Sequence, residues 1–212
     1  VDGALEADLK IQHIFSANKD LLKNYENFQT YFTNEKVMEK ISTTESPASI
    51  LAVVKKPKND IEGFKKFKKI ALLDNIKDAG NLGTIIRSAS AFNIEGIMLY
   101  GECTDAFSPK TIRSAAGNIF KIPIIHCTTE QLQEFKKTHK MIATVVNSPN
   151  DIQNFDSTEP FIIMFGSEAD GLCSELLTFC NISYTIPMKK NVESLNLAVS
   201  AGIVLYEIFK HQ

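Results

Sequence analysis

The fold is decided by one stretch of the chain, FIIMFGSEADGL at residues 161–172. Its first five residues are apolar, which is typical of a strand buried on both faces of a parallel sheet. Gly166 follows directly and lets another segment or a ligand approach the backbone, and Gly171 permits a left-handed turn. The stretch therefore predicts a strand and a tight loop that places Glu168 at the edge of a sheet. A loop in which Glu168 only caps a helix is the open alternative.

Apolar strands alternate with helical segments on both sides of this stretch. The predicted strands are 70–73, 96–100, 119–125, 141–146, 161–165 and 182–186, and the predicted helices are 81–92, 109–116, 129–139 and 194–210. This alternation predicts an α/β domain over residues 69–212, with a parallel sheet covered on both faces. Residues 1–54 predict a smaller α/β domain, with strands at 11–16, 28–32 and 50–54, a helix at 19–25, and a helix capped by Thr33 that ends at Ile41.

Composition limits the class of protein. The chain has 212 residues, of which 44% are hydrophobic and 23% charged, which fits a globular protein and excludes a disordered or collagen-like one. No uncharged apolar run reaches the ~18 residues of a membrane span, and no signal-peptide pattern opens the chain, so we predict a cytoplasmic protein. Because the chain begins with Val1 and not with Met, we expect a segment before it. The four cysteines and four histidines lack the spacing of metal ligands or of a disulfide framework.

The charged residues point to local patches only. The net charge of −2 gives no support to nucleic-acid binding by the chain as a whole. Seven lysines lie between residues 55 and 69, and we predict an exposed basic linker at 55–68 that is either a solvated connection or a contact with a polyanion. Only two of the 23 basic residues are arginines, Arg87 and Arg113. An arginine fork holds phosphate or carboxylate in a way that lysine cannot.

Two more polar turns follow apolar strands. The first leads into NLGTIIRS at residues 81–88, where the apolar positions form one helical stripe and leave Arg87 outside it, free for a ligand or for solvent. Asn81 is there either a helix cap or a polar site residue. The second turn covers 186–196, with Ser194 as the expected helix cap and Asn196 in the first helical turn. Ligands of parallel sheets collect at such turns, although no dinucleotide, Walker or hydrolase motif occurs.

Together the three turns resemble the three motifs of the SpoU/TrmH family of RNA ribose methyltransferases, in the SPOUT superfamily. The matching strings are NLGTIIRS at 81–88, FGSE at 165–168 with Gly171-Leu172, and IPM at 186–188 followed by SLN at 194–196. The stretch 108–117 also resembles the family, so the likeness covers 69–212. Residues 1–54 resemble the small α/β substrate-binding domain that precedes the catalytic domain in this family, most clearly at STTESP, 42–47.

The resemblance implies a fold, a reaction and a partner. It implies a SPOUT domain with a deep trefoil knot, packed as a homodimer through the knotted domain. The implied reaction transfers a methyl group from S-adenosylmethionine to a ribose 2′-hydroxyl of structured RNA, and rRNA is favoured over tRNA as the substrate. It needs no metal.

The resemblance also assigns roles to residues. Arg87 is implied to engage the phosphate and ribose of the substrate, and we expect electrostatic positioning from it, because a guanidinium holds its proton too tightly to serve as a base. The other polar motif residues, which would orient Arg87 and hold the substrate, are Asn81, Glu168, Ser194 and Asn196. Backbone groups in the knotted loops are implied to hold the cofactor at Gly166, Ile186, Met188 and Leu195. The expected RNA contacts are Arg113, Lys65, Lys66, Lys68 and Lys69.

One position departs from the family pattern. Where the family usually has a glycine two residues after IPM, this chain has Lys190. A lysine would be strained there if the position required a positive φ, and cofactor affinity would fall. This departure, with the modest net charge, motivates a second hypothesis: a noncatalytic RNA-binding protein that retains the knotted fold.

Overall fold

A computed structural model describes residues 1–43, 46–156 and 158–211. The chain forms two compact units, which divide between Lys58 and Asn59. The second half of the predicted basic linker belongs to the second unit, because Asp60 caps a short helix there and Phe64 at the end of that helix is buried. Apolar side chains between the lysines thus fold with the domain, and residues 59–68 are no free linker.

The first unit is a three-stranded sheet with short helices. Its elements are α1 (Asp2–Glu6), β1 (Ile11–Ser16), α2 (Lys19–Lys23), β2 (Thr30–Phe32), α3 (Glu35–Ile41) and β3 (Ile50–Val54). The strand order is β2-β1-β3, with β1 parallel to β2 and antiparallel to β3. Asn34, not Thr33, caps α3, because its side chain accepts a hydrogen bond from the Val37 N–H. Two residues of the stretch 42–47, Thr44 and Glu45, lie outside the described residues.

The second unit contains a six-stranded sheet in which every pairing is parallel, as predicted. Its elements are α4 (Ile61–Phe64), β4 (Lys69–Asp74), α5 (Ala79–Ala91), β5 (Gly96–Tyr100), α6 (Pro109–Ser114), β6 (Ile124–His126), α7 (Thr129–Phe135), β7 (Lys140–Thr144), β8 (Phe161–Phe165), α8 (Ser174–Phe179), β9 (Ile182–Tyr184) and α9 (Leu197–Lys210). Alternate residues of β8 enter two separate apolar clusters, such as Ile163 in one and Ile162 in the other. The sheet is therefore covered on both faces.

Two predicted elements begin later than the sequence indicated. The segment predicted as a strand over 119–125 starts as a 3-10 helix at Asn118–Phe120, and β6 covers only its end. Gly117, with φ +80°, and Pro123, which has no N–H to donate, interrupt the strand although Ile119 is buried. The last helix begins at Leu197 because Asn196 caps it.

The strand order places a crevice at the centre of the sheet. The order is β6-β5-β4-β8-β7-β9, so the chain builds outward from β4 to β6 and then continues on the other side of β4. Ligands of open parallel sheets bind where the direction reverses, at the carboxyl ends of the strands. Here that point lies between β4 and β8, which precede the first two motifs. None of the helices within residues 1–43, 46–156 and 158–211 combines the length and the apolar character that crossing a membrane requires.

Candidate active site

The β4–α5 turn presents Asn81 as a site residue. Asp78 caps α5, since its carboxylate accepts a hydrogen bond from the Asn81 N–H at 2.8 Å. Asn81 therefore lies inside the first helical turn, and the interpretation of Asn81 as the cap is wrong. Its carboxamide is left to contact the other loops.

The loop after β8 presents Glu168. A Cβ on Gly166 would lie 2.0 Å from the carbonyl carbon of Gly171, so only glycine fits where the loop returns to the strand. Gly171 has φ +68°, and the backbones of Ser167 and Gly171 exchange hydrogen bonds of 3.0 and 3.1 Å. This closed loop exposes Glu168, which caps no helix, because the next helix begins at Ser174.

The turn before α9 presents Asn196 in two roles. Its Oδ1 caps α9 by accepting from the N–H groups of Ala198 and Val199, at 3.0 and 3.2 Å. Its Nδ2 donates to Glu168 Oε1 at 3.1 Å and to Asn81 Oδ1 at 3.2 Å. The expectation that Ser194 caps this helix is wrong, because Ser194 lies two residues before the capping position.

Asn81, Glu168 and Asn196, one from each motif, thus form a connected polar trio. Asn81 Nδ2 donates to Glu168 Oε1 at 2.5 Å, so this single carboxylate oxygen accepts from both amides. Within the described part of the chain, the second oxygen of Glu168 makes no hydrogen bond. Asn81 and Asn196 therefore hold one carboxylate oxygen of Glu168 and leave the other exposed.

A cavity of about 520 Å³, which we call the main cavity, adjoins the trio. It brings together all four predicted cofactor residues with Ser194; they are Gly166, Ile186, Met188 and Leu195. Apolar side chains such as Phe165, Tyr184 and Val204 line it further. Among the described residues, the backbone N–H groups of Met188 and Leu195 have no hydrogen-bond partner. The main cavity thus combines apolar walls with backbone donors.

A second cavity of about 400 Å³, which we call the side cavity, lies against the same loop. Residues 75–78 and Asn81 line one side, residues 167–171 the other, and Cys173 and Leu197 complete it. Behind it lies Asp74, a fully buried carboxylate that accepts from the Cys173 N–H at 2.7 Å and from Asn75 Nδ2 at 2.6 Å. Sequence reasoning missed Asp74. A charged residue that ends an otherwise apolar strand was the available signal.

The predicted phosphate and RNA contacts lie apart from the trio. Arg87 is exposed on α5 and lines neither cavity, and Arg113 is exposed on α6. The lysines at 65–69 precede or begin β4, at the edge of the sheet opposite the site, where Lys65 pairs with Glu62 at 2.6 Å.

The described non-glycine residues with positive φ are Asp8, Asn75, Asn93 and Ala116. Lys190 is not among them, so the expected strain is absent.

Comparison with known proteins identifies the family. The model of the SpoU rRNA methylase family matches residues 68–206. The chain belongs to the SpoU rRNA methylase family. The matched residues begin directly before β4, so all three motifs of the trio fall within them.

Similar proteins and structures extend the likeness to both units. The chain is 32% identical to the 23S rRNA (guanosine(2553)-2′-O)-methyltransferase RlmP of Bacillus subtilis, over 85% of this chain and 72% of that protein. It is 28% identical to the 23S rRNA (uridine(2479)-2′-O)-methyltransferase of Streptomyces viridochromogenes, over 92% of this chain and 71% of that protein. The crystal structure of an AdoMet-bound rRNA methyltransferase from Sinorhizobium meliloti superposes with a TM-score of 0.86 at 30% identity, covering 98% of this chain and 83% of that one.

Proposed function

We propose that this protein transfers a methyl group from S-adenosylmethionine to a ribose 2′-hydroxyl of rRNA. The observation that carries the proposal is the meeting of Asn81, Glu168 and Asn196 beside the main cavity, at the carboxyl ends of β4 and β8. Its relatives in Bacillus subtilis and Streptomyces viridochromogenes carry 23S rRNA 2′-O-methyltransferase names. Geometry and family membership therefore favour the same reaction.

The main cavity fits S-adenosylmethionine by size and chemistry. Its volume of about 520 Å³ lies within the range of about 300–1,000 Å³ that is usual for small-molecule sites. The apolar walls suit an adenine ring, and the N–H groups of Met188 and Leu195 can donate to its polar atoms. The Glu168 carboxylate lies at the cavity wall, where it favours a cation. When bound, S-adenosylmethionine supplies a methyl group made electrophilic by its sulfonium.

The trio can hold the hydroxyl that receives the methyl group. A ribose hydroxyl is a weak nucleophile, so it must be oriented and its proton accepted or polarised. The second oxygen of Glu168 can accept the hydrogen bond of the 2′-hydroxyl, while Asn81 and Asn196 fix the first oxygen. Glu168 thereby aligns the oxygen lone pair toward the main cavity.

Arg87 supplies a phosphate contact from a different surface of α5. It is exposed, and it follows Thr84 by three residues, so the two are neighbours on the helix. Thr84 borders a shallow apolar depression with Phe92, Val199 and Tyr206, between α5 and α9. A homodimer through this depression would bring Arg87 to an interface, and we include that dimer in the proposal.

The trefoil knot is likewise part of the proposal, and is supported by the loops 166–172 and 186–195 lining one cavity.

Two measurements test the function. Calorimetric titration with S-adenosylmethionine and S-adenosylhomocysteine should give saturable binding near one site per chain. Transfer of tritiated methyl groups to unmodified large-subunit rRNA, followed by nucleoside analysis, should give a 2′-O-methylated nucleoside. Absence of both would overturn the proposal.

The Arg87→Ala variant tests the phosphate role. Because Arg87 is exposed and lines neither cavity, the variant should fold and bind S-adenosylmethionine as the wild type does, while transfer falls by about 100-fold. Lys137→Ala, which removes an exposed basic side chain outside the proposed RNA contacts, is the matched control. Full transfer by Arg87→Ala would contradict the assigned role.

The noncatalytic alternative loses the structural part of its motivation. It rested on strain at Lys190 and on the modest net charge; Lys190 has no positive φ and does not line the main cavity, and the net charge of −2 does not by itself argue against catalysis. We retain the first unit as the RNA-binding domain, with the lysines at 65–69 and Arg113 as further RNA contacts. The cytoplasmic location stays a prediction from the sequence.

A further inference from the structure

The side cavity has no role in the methyl transfer proposed above for the trio and the main cavity. It shares residues 167–171 and Leu197 with the main cavity, so the two lie on either side of the loop that carries Glu168. Asn81 and Glu168 both border it. A ribose whose hydroxyl meets Glu168 therefore has its base within reach of this cavity, and about 400 Å³ is room enough for a nucleobase.

The walls of the side cavity are held in a fixed arrangement. The buried carboxylate of Asp74 ties Asn75 on one wall to Cys173 on the other, through hydrogen bonds of 2.6 and 2.7 Å. Asn75 has φ +55°, a left-handed conformation that asparagine adopts more readily than most residues, and its Oδ1 accepts from the Glu102 N–H at 2.9 Å. The cavity is thus preorganised before any ligand enters.

The two walls carry complementary polar groups. On the wall of residues 167–171, the Asp170 N–H donates to Ser167 Oγ at 3.1 Å, and its carboxylate makes no hydrogen bond to another described residue. On the wall of residues 75–78, the Lys77 ammonium pairs with Glu102 at 2.7 Å, with side chains 63% and 88% exposed. Such an exposed pair contributes at most ~1 kcal/mol, so Lys77 can exchange it for a ligand. Ile76 and Leu197 add apolar surface for the face of a ring.

We propose that the side cavity receives the base of the target nucleotide and selects a keto base, guanine or uracil, through Asp170 and Lys77. These bases present a carbonyl oxygen next to an N–H, which match an ammonium donor and a carboxylate acceptor. Adenine and cytosine present an amino group next to an unprotonated nitrogen, so both contacts would be mismatched. The relatives from Bacillus subtilis and Streptomyces viridochromogenes are named for a guanosine and a uridine, which both carry this edge. The inference rests on the proposed methyltransferase function.

The test compares Asp170→Asn and Lys77→Gln with matched controls in and directly after α7. Glu134→Gln and Lys137→Gln remove the charges of another exposed pair, which also meets at 2.7 Å. The substrates are transcribed large-subunit rRNA and, once the wild-type product is mapped, the same RNA with the target base exchanged for adenine. We expect the wild type to produce a methylated guanosine or uridine. Asp170→Asn should lower kcat/KM by about tenfold on the RNA with its native target base. On the RNA with adenine at that position kcat/KM should fall less, because the carboxamide can also donate a hydrogen bond.

Each outcome decides between the proposals. Lys77 lines the side cavity and not the main cavity, so affinity for S-adenosylmethionine should be unchanged in Lys77→Gln, and a loss of that affinity would overturn the inference by assigning the side cavity to the cofactor. A wild-type product on adenosine or cytidine, or full activity with unchanged base preference in Asp170→Asn, would also overturn it while leaving the methyltransferase standing. If the wild type methylates no RNA and binds no S-adenosylmethionine, the proposed function fails, and this inference fails with it.

Discussion

Asn196 shows how one residue can join a helix to the proposed reaction. Its oxygen caps α9, and its amide nitrogen holds Glu168 and Asn81. An asparagine is needed for both, because serine and threonine lack the second polar atom and aspartate lacks the donor. The poor helix propensity of asparagine at this position is therefore no defect, since the residue lies at the cap.

Substitutions of Asn196 should separate the two roles. Asn196→Ala removes the cap and should lower the free energy of unfolding by about 1 kcal/mol. Asn196→Asp retains a capping oxygen but sets a second oxygen against Glu168, so it should lose less stability and still lose about 100-fold in transfer. Urea unfolding and methyl transfer measure the two effects.

Thr128→Ala is the control for Asn196, because Thr128 caps α7 and belongs to no part of the trio. It should lower stability and leave transfer intact. If Asn196→Asp transfers methyl groups as fast as the wild type, the amide of Asn196 has no part in the reaction.

At the scale of elements, a second polar cluster links α7 and α8 to β5 through hydrogen bonds. Tyr100 at the end of β5 donates to Glu175 of α8 at 2.5 Å and contacts Thr129 of α7 at 2.9 Å. Burial, together with the hydrogen bond to Glu175, raises the pKa of the Tyr100 phenol to about 12. The folded state therefore holds this proton more tightly than the unfolded state, in which the pKa is near 10.

The pH dependence of stability should report this cluster. Stability from Tyr100 is fully present below pH 10 and is lost as the pH rises through about 12. The difference in unfolding free energy between the wild type and Tyr100→Phe should accordingly shrink between pH 9 and pH 11.5. An equal difference at both values would show that the phenol titrates alike in the folded and unfolded states.

The α5–α9 surface is the element on which the proposed dimer depends. Val199 and Tyr206 are 52% and 48% exposed, which is unusual for apolar residues on one helix face beside an active site. Val199→Glu and Tyr206→Glu should each leave the monomer folded and shift the sedimentation behaviour from dimer to monomer. Val37→Glu, on α3, changes an exposed apolar residue elsewhere and should leave the assembly unchanged. A wild-type monomer at micromolar concentration would contradict the dimer.

At the scale of the whole molecule, the basic segment and the trio lie at opposite edges of the sheet. Lys69 begins β4 and Asp74 ends it, so about 17 Å of strand separates the two edges. RNA contacts at 65–69 would thus extend the bound surface well beyond the target nucleotide. They would contribute to the affinity for RNA without contacting the reacting atoms.

Replacing Lys65, Lys66, Lys68 and Lys69 with glutamine tests this extension. RNA affinity should fall. A plot of log affinity against log salt concentration should become less steep, by roughly 0.7–0.9 in slope for each phosphate that the variant no longer neutralises. S-adenosylmethionine binding should not change. Lys136→Gln with Lys137→Gln is the control, and an unchanged slope in the quadruple variant would assign the lysines to solvation.

The sequence by itself determined the parallel sheet and the ordered set of three motifs. Runs such as FIIMF, alternating with helical segments, are typical of strands buried on both faces of a covered parallel sheet. Gly166 and Gly171 are glycines because a backbone contact and a positive φ require them. These are local or periodic constraints, and a single chain segment displays them. The family resemblance depends on the same strings.

Only the tertiary structure decided which polar residues meet. Asn81, Glu168 and Asn196 are up to 115 positions apart along the chain, so no spacing could show that one carboxylate oxygen accepts from both amides. The structure also decided which residue caps each helix. Asp78 caps α5, where Asn81 was a candidate, and Asn196 caps α9, where Ser194 was expected. The burial of Asp74 depends on a donor 99 positions away, Cys173. Contacts of this kind arise from the strand order, which brings β4 beside β8, and strand order is a property of the whole chain.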